Sequence, residues 1–124
     1  MTKDAFAGRR VLLVEDEALI AMNVADMLDA LGCIVVGPAS RVGEAFTVIE
    51  AAGDIDAAVL DVNLDGQPSF SVADALVERG IPFLFATGYG ARGLRDDLRG
   101  RPVLQKPFRL RDLRKALAEV LPAG

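Results

Sequence analysis

Histidine is absent from the 124-residue chain, and cysteine occurs once, at position 33. Without histidine, His-based catalytic triads and the usual zinc sites are excluded. A lone thiol cannot close an intrachain disulfide, so Cys33 is expected to be a buried residue in a reducing compartment. Basic residues are the minority, 14 Lys and Arg against 18 Asp and Glu, for a formal net charge of −4. That balance offers no broad footprint for a phosphate backbone, and direct nucleic-acid binding is not expected. No apolar run approaches the ~20 residues that cross a bilayer, and the opening MTKDAFAGRR has no apolar centre. Neither export nor membrane insertion is expected, and the expected location is cytoplasmic.

What is present is a 52% hydrophobic composition with 26% charged residues, in a length suited to one compact domain. Short aliphatic runs recur at Val11 to Val14, Ile34 to Val36, Ala57 to Leu60, Phe83 to Ala86, and Val103 to Leu104. They are continuous rather than alternating, the pattern of strands buried on both faces of a parallel sheet. Helical spacing lies between them. Ile20, Val24, Met27, Leu28 and Leu31 form one apolar stripe that stops at Gly32; Val42, Phe46 and Ile49 form another before Gly53. Ser71 with Asp74 has the spacing of a capping box opening a helix over Val72 to Arg79. Leu110, Leu113, Leu117 and Val120 mark the last helix, which should end at Pro122. A helix over Gly88 to Gly100 is the weakest, because Gly88, Gly90 and Gly93 each cost about 1 kcal/mol relative to Ala. The pattern predicts a doubly wound α/β domain of five parallel strands and five helices, with right-handed crossovers. Residues 1–124 are expected to form one domain, with its core over about 10–121.

Functional groups in such folds gather beyond the carboxyl ends of the strands. Those positions carry Glu15, Asp16 and Glu17 after the first strand, Asp61 after the third, Thr87 and Gly88 after the fourth, and Lys106 and Pro107 after the fifth. Clustered carboxylates about 4 Å apart repel by roughly 4 kcal/mol at an effective dielectric of 20, so they call for cations. Lys106 is one. An oxygen-only ligand set without His or spare Cys points to Mg²⁺ as the second. A carboxylate beside Mg²⁺, a lysine and a hydroxyl is suited to attack phosphorus and form an acyl phosphate.

The ordered set Val-Glu-Asp at 14 to 16, Leu-Asp at 60 to 61, Ala-Thr-Gly at 86 to 88 and Lys-Pro-Phe at 106 to 108 resembles the receiver domain of two-component response regulators. The resemblance covers about Arg10 to Leu121. It implies a flavodoxin-like sheet of order 2-1-3-4-5 and a phospho-accepting role for Asp61. It further implies Glu15, Asp16, Asp61 and Asn63, the last through its backbone carbonyl, as the Mg²⁺ site. Thr87 would be the switch hydroxyl beside Gly88, Lys106 the phosphate-binding lysine, and the bond to Pro107 cis. Phe-Ala-Thr-Gly-Tyr at 85 to 89 is similar to the FATGUY subgroup, often paired with kinases of the HWE and related types. The implied partners are a sensor histidine kinase or phosphotransfer protein and an unknown downstream protein. Three departures stand out. The proline usual after the acceptor is missing, which predicts a looser loop over Leu64 to Pro68; Val103 replaces the usual aromatic; and Tyr89 is the candidate to act in its place.

Such a domain is not expected to be an enzyme beyond slow self-dephosphorylation. One alternative is a phosphatase of the haloacid-dehalogenase kind, which needs an acid/base carboxylate two residues after its nucleophile, where this chain has Asn63. A pseudo-receiver that only binds partners is another, although Asp16, Asp61 and Lys106 are all retained. The sequence fits either a stand-alone receiver or a domain of a longer protein.

Overall fold

The computed structural model describes residues 5–88 and 94–121. Its main sheet contains β1 (Arg10–Val14), β2 (Ile34–Ala39), β3 (Ala57–Asp61), β6 (Phe83–Thr87) and β7 (Val103–Gln105), while β4 (Asn63–Leu64) and β5 (Gln67–Pro68) form a separate hairpin. All neighbours in the main sheet are parallel and their order is β2-β1-β3-β6-β7, which is 2-1-3-4-5 when only these five strands are counted. The helices are α1 (Ala18–Ala30), α2 (Val42–Ala51), α3 (Phe70–Glu78) and α4 (Leu110–Val120).

Continuous apolar strands are explained by the two layers they supply. Successive side chains of a strand point to opposite faces. Leu12, Val14, Ala58, Leu60, Phe83 and Phe85 pack with Ala45 and Ile49 of α2 and Val72, Ala73 and Leu76 of α3. Val11, Leu13, Val59, Leu84 and Ala86 pack with Val24 and Leu28 of α1 and Leu113 and Leu117 of α4. Cys33 is buried in this second layer. The turn after α1 depends on Gly32, whose φ of 92° suits glycine and whose missing side chain leaves room for Ala7, 3.3 Å from where a Cβ would sit.

Three expectations require correction. The described residues contain four α-helices rather than five: in place of the fourth expected helix, residues 94–100 hold one 3-10 turn at Asp96–Leu98. Leu94 and Leu98 are buried, but Arg95 turns outward to Asp74 and Asp97. Gly90 and Gly93, counted against that helix, lie outside the described residues, as does Tyr89.

The second correction concerns α3, which starts at Phe70 with Ser69 as its N-cap and makes no side-chain capping bond. Ser71 and Asp74 are therefore not a capping box; Asp74 pairs with Arg95 instead. The third is the stretch after Asp61, which is an antiparallel hairpin rather than a loose loop, with Asn63 opposite Pro68 and Leu64 opposite Gln67. Its central residues Asp65 and Gly66 have φ values of 53° and 81°. Two consecutive positive φ angles define the turn that matches the twist of a tight hairpin, and Asp-Gly is a favoured pair for it.

Candidate functional site

The parallel strands end together, and their last residues open onto a cleft of about 450 Å³ lined by Asp16, Glu17, Asp61, Asn63, Gly66, Thr87, Gly88 and Lys106. Asp61 closes β3 and is 8% exposed, with Glu15 at 3% and Thr87 at 2%. Lys106 follows β7, and its N–H donates to the Thr87 carbonyl at 2.8 Å, which brings the ends of β6 and β7 together. The Lys106–Pro107 bond is cis. From there the Lys106 Nζ donates to Oε1 of Glu15 at 2.5 Å and to Oδ2 of Asp61 at 2.9 Å.

Each carboxylate has its own support. The Glu17 N–H donates to Oε2 of Glu15 at 3.1 Å, the Asp65 N–H to Oδ2 of Asp16 at 2.9 Å, and the Asn63 N–H to Oδ1 of Asp61 at 3.3 Å. Burial pushes the Glu15 carboxyl up to about 7, against the opposing pull of its bonds to Lys106 and to the Glu17 N–H. Burial is the largest single influence on Asp16 and works against its charge, but the Asp65 N–H together with hydrogen bonding to Glu15, its own backbone and Asp61 outweighs it, and the carboxyl sits below its ordinary value. For Lys106 the same contest favours charge: desolvation is overcome by the bonds to Glu15 and Asp61, which hold the ammonium above its usual range.

Oxygens of Glu15, Asp16 and Asp61 all lie within 4.8 Å of one another. Two such charges repel by about 3–4 kcal/mol at an effective dielectric of 20, and one lysine cannot neutralise three carboxylates. The donor set is hard, acidic and open to the cleft, which fits Mg²⁺ with water retained in its shell.

Sequence reasoning placed Glu15, Asp16, Asp61, Asn63, Thr87, Gly88 and Lys106 at this edge, and the fold brings all seven together. Tyr89, the candidate aromatic, lies outside the described residues. Two contributors went unseen. The backbone of Asp65 was legible in principle, because Asp65-Gly66 is a hairpin signal. Ser69, whose hydroxyl donates to the Asp61 carbonyl at 2.5 Å, had no such signal.

The sequence model of the response regulator receiver domain matches residues 11–118. The chain belongs to that family. PdtaR of Mycobacterium tuberculosis, a transcriptional regulatory protein, is 34% identical over 118 residues, covering 92% of this chain and 57% of its own. The chain spans about half the length of the curated relatives it matches. Among solved structures, SdrG from Sphingomonas melonis Fr1 is 46% identical with a TM-score of 0.80, covering 95% of this receiver domain and 97% of SdrG. A second SdrG structure, from Pseudomonas melonis Fr1 in the BeF3-activated conformation, is 45% identical with a TM-score of 0.76, over 95% and 97% of the two chains.

Proposed function

We propose that this receiver domain takes a phosphoryl group onto Asp61, in a Mg²⁺-dependent step, and that the acyl phosphate switches a protein-binding surface. The observation that carries this reading is the Asp61 carboxylate at the mouth of the core, 2.9 Å from the Lys106 ammonium and within 4.8 Å of two further carboxylates. With a phosphohistidine donor whose other ring nitrogen is protonated, an Asp61 oxygen attacks phosphorus, the P–N bond breaks as the P–O bond forms, and the bond pair stays on the nitrogen, so that the donor leaves as neutral imidazole. Lys106 balances charge on the phosphoryl oxygens. Glu15, Asp16, Asp61 and the Asn63 carbonyl would hold Mg²⁺, which supplies further charge neutralisation when bound. Thr87 stands at the cleft to donate its hydroxyl to the phosphoryl group, and Gly88 lets the backbone follow it.

A protein donor suits the surroundings. An apolar groove of about 270 Å³ lies between α1 and the turn after β7, lined by Ile20, Asn23, Val24, Met27, Pro107 and Phe108 together with Lys106 itself. Next to it α1 exposes Leu19 and Met22, at 80% and 61%. This favours a histidine kinase or phosphotransfer protein, of the HWE type on the strength of the Phe85 to Tyr89 motif, with a further, unidentified protein downstream. Among the described residues no helix is long and apolar enough to cross a membrane. A cytoplasmic location is part of the same proposal. The BeF3-activated form of its relative SdrG supports a phosphoryl-responsive fold. Asn63, where a phosphatase would need its acid/base carboxylate, argues against sustained hydrolytic turnover.

Incubation with Mg²⁺ and acetyl phosphate, followed by intact-mass measurement, tests this reading. One phosphoryl increment is expected in the natural chain, and none in Asp61→Asn or when Mg²⁺ is chelated. Equal labelling of the Asn variant would overturn the assignment.

A further inference from the structure

Lys106 explains which way the Asp61 side chain faces, and pairing with β6 carries the strand as far as Asp61. The Asp61 carbonyl is met by Ser69. The residue is fully buried, at 0% exposure. Its hydroxyl donates to the Asp61 carbonyl at 2.5 Å and its N–H to the Val62 carbonyl at 2.9 Å. Its own carbonyl accepts from the N–H groups of Val72 and Ala73 at 3.0 and 3.1 Å, where α3 begins. One residue thus joins the end of β3, the base of the hairpin and the first turn of α3.

The direction of the hydroxyl is informative. Ser69 occupies the N-cap of α3, where a serine normally turns its oxygen to accept a bond from the first turn of the helix. No side-chain capping bond is made. The hydroxyl is diverted to the residue that ends the strand. On the carboxylate itself Lys106 holds Oδ2 at 2.9 Å, while the neighbouring Asn63 N–H reaches Oδ1 only at 3.3 Å, beyond the usual range.

We propose that Ser69 is a positioning residue for phosphoryl uptake: its buried hydroxyl fixes the peptide plane of Asp61 and so the angle at which the carboxylate enters the cleft. The proposal rests on the reading of Asp61 as acceptor. Ser69 is not among the residues lining the cleft and touches no reacting atom. It acts through Asp61, where attack in line with the leaving group demands a narrow range of geometry.

The test compares the natural chain with Ser69→Ala and Ser69→Thr, each shown to be folded by circular dichroism at the assay temperature. The rate of uptake from acetyl phosphate is measured against donor concentration, and Mg²⁺ affinity is titrated separately. For Ser69→Ala the maximal rate should fall about tenfold while donor half-saturation and Mg²⁺ affinity stay within about twofold, because alignment rather than binding is lost. Ser69→Thr, which keeps the hydroxyl, should recover most of the rate. An unchanged rate in Ser69→Ala, a matching loss of rate and Mg²⁺ affinity, or a folded Thr variant as slow as Ala would each overturn the proposal. Should the Thr variant not fold, the split between rate and affinity in Ser69→Ala decides alone. Absence of uptake by the natural chain would instead remove the reading of Asp61 on which the proposal stands.

Discussion

The Asp65 N–H at the hairpin tip donates a 2.9 Å hydrogen bond to Oδ2 of Asp16, joining residues 49 positions apart. The hairpin that follows the acceptor strand therefore reaches back to steady a carboxylate of the proposed metal site. Its two ends have separate tasks, since Ser69 at the base meets the backbone of Asp61.

Gly66 sets the tip of that hairpin. Its φ is 81°, and nothing lies within 4 Å of where a Cβ would sit, so a side chain there meets backbone strain and no clash. Gly66→Val should cost about 1–2 kcal/mol at the tip. Loss of the Asp65 bond should lower Mg²⁺ affinity by about three- to tenfold while the melting temperature moves by only a few degrees. Calorimetric titration measures the first, and an unchanged affinity would show that Asp65 does not steady Asp16.

Glu15 should give the metal-free protein a characteristic pH dependence. Its carboxyl lies near 7 in the fold against an ordinary 4.5. A raised carboxyl contributes stability below its unfolded value and loses it as pH rises through the folded one. In chelator, stability from this group should therefore fall between about pH 4.5 and 7, by roughly 3 kcal/mol in all. The depressed Asp16 carboxyl acts at lower pH, and the raised Lys106 ammonium remains charged throughout this window. Urea denaturation across the range should show the decline in the natural chain and a flatter profile in Glu15→Gln.

Lys106→Gln would leave Glu15 and Asp61 facing each other without the ammonium that bonds both. The metal-free variant should lose about 1–3 kcal/mol, discounted because the lysine side chain is 16% exposed. Added Mg²⁺ should restore more stability to the variant than to the natural chain, since it replaces a missing positive charge. Phosphoryl uptake should fall by ~100-fold. Denaturation with and without Mg²⁺ checks the first two outcomes, and intact-mass kinetics the third.

Arg95 ties the turn at Asp96–Leu98 to α3. Its guanidinium bonds both oxygens of Asp74 and both of Asp97, and lies 5.8 Å from the centre of the Phe70 ring. All three charged groups are well exposed, so global stability should barely change in Arg95→Ala. Amide exchange over residues 94–98 should accelerate, because this tether is one of the contacts, with the packing of Leu94 and Leu98, that local opening must release. Unchanged exchange would show that the two buried leucines hold the segment without it.

The five-stranded parallel sheet was legible in the sequence because each central strand is buried on both faces and so carries an unbroken apolar run. The positions that gather at its edge followed from strand polarity: whatever comes next after each run must stand at the same end. That is why the sequence alone places Asp61, Thr87 and Lys106 together. What tertiary structure alone decided was how those groups hold one another. Ser69 lies eight residues beyond Asp61, and only closure of the hairpin brings its hydroxyl back to the Asp61 carbonyl. Ser71 and Asp74 had the spacing of a helix cap, yet α3 begins at Phe70 with Ser69 as its N-cap, so Ser71 lies inside the helix and Asp74 pairs instead with Arg95, 21 residues away. The raised carboxyl of Glu15 likewise depends on how deeply its neighbours cover it. Periodicity and strand order are local or nearest-neighbour properties that one chain records directly, whereas desolvation and the choice among hydrogen-bond partners are set by packing between distant segments.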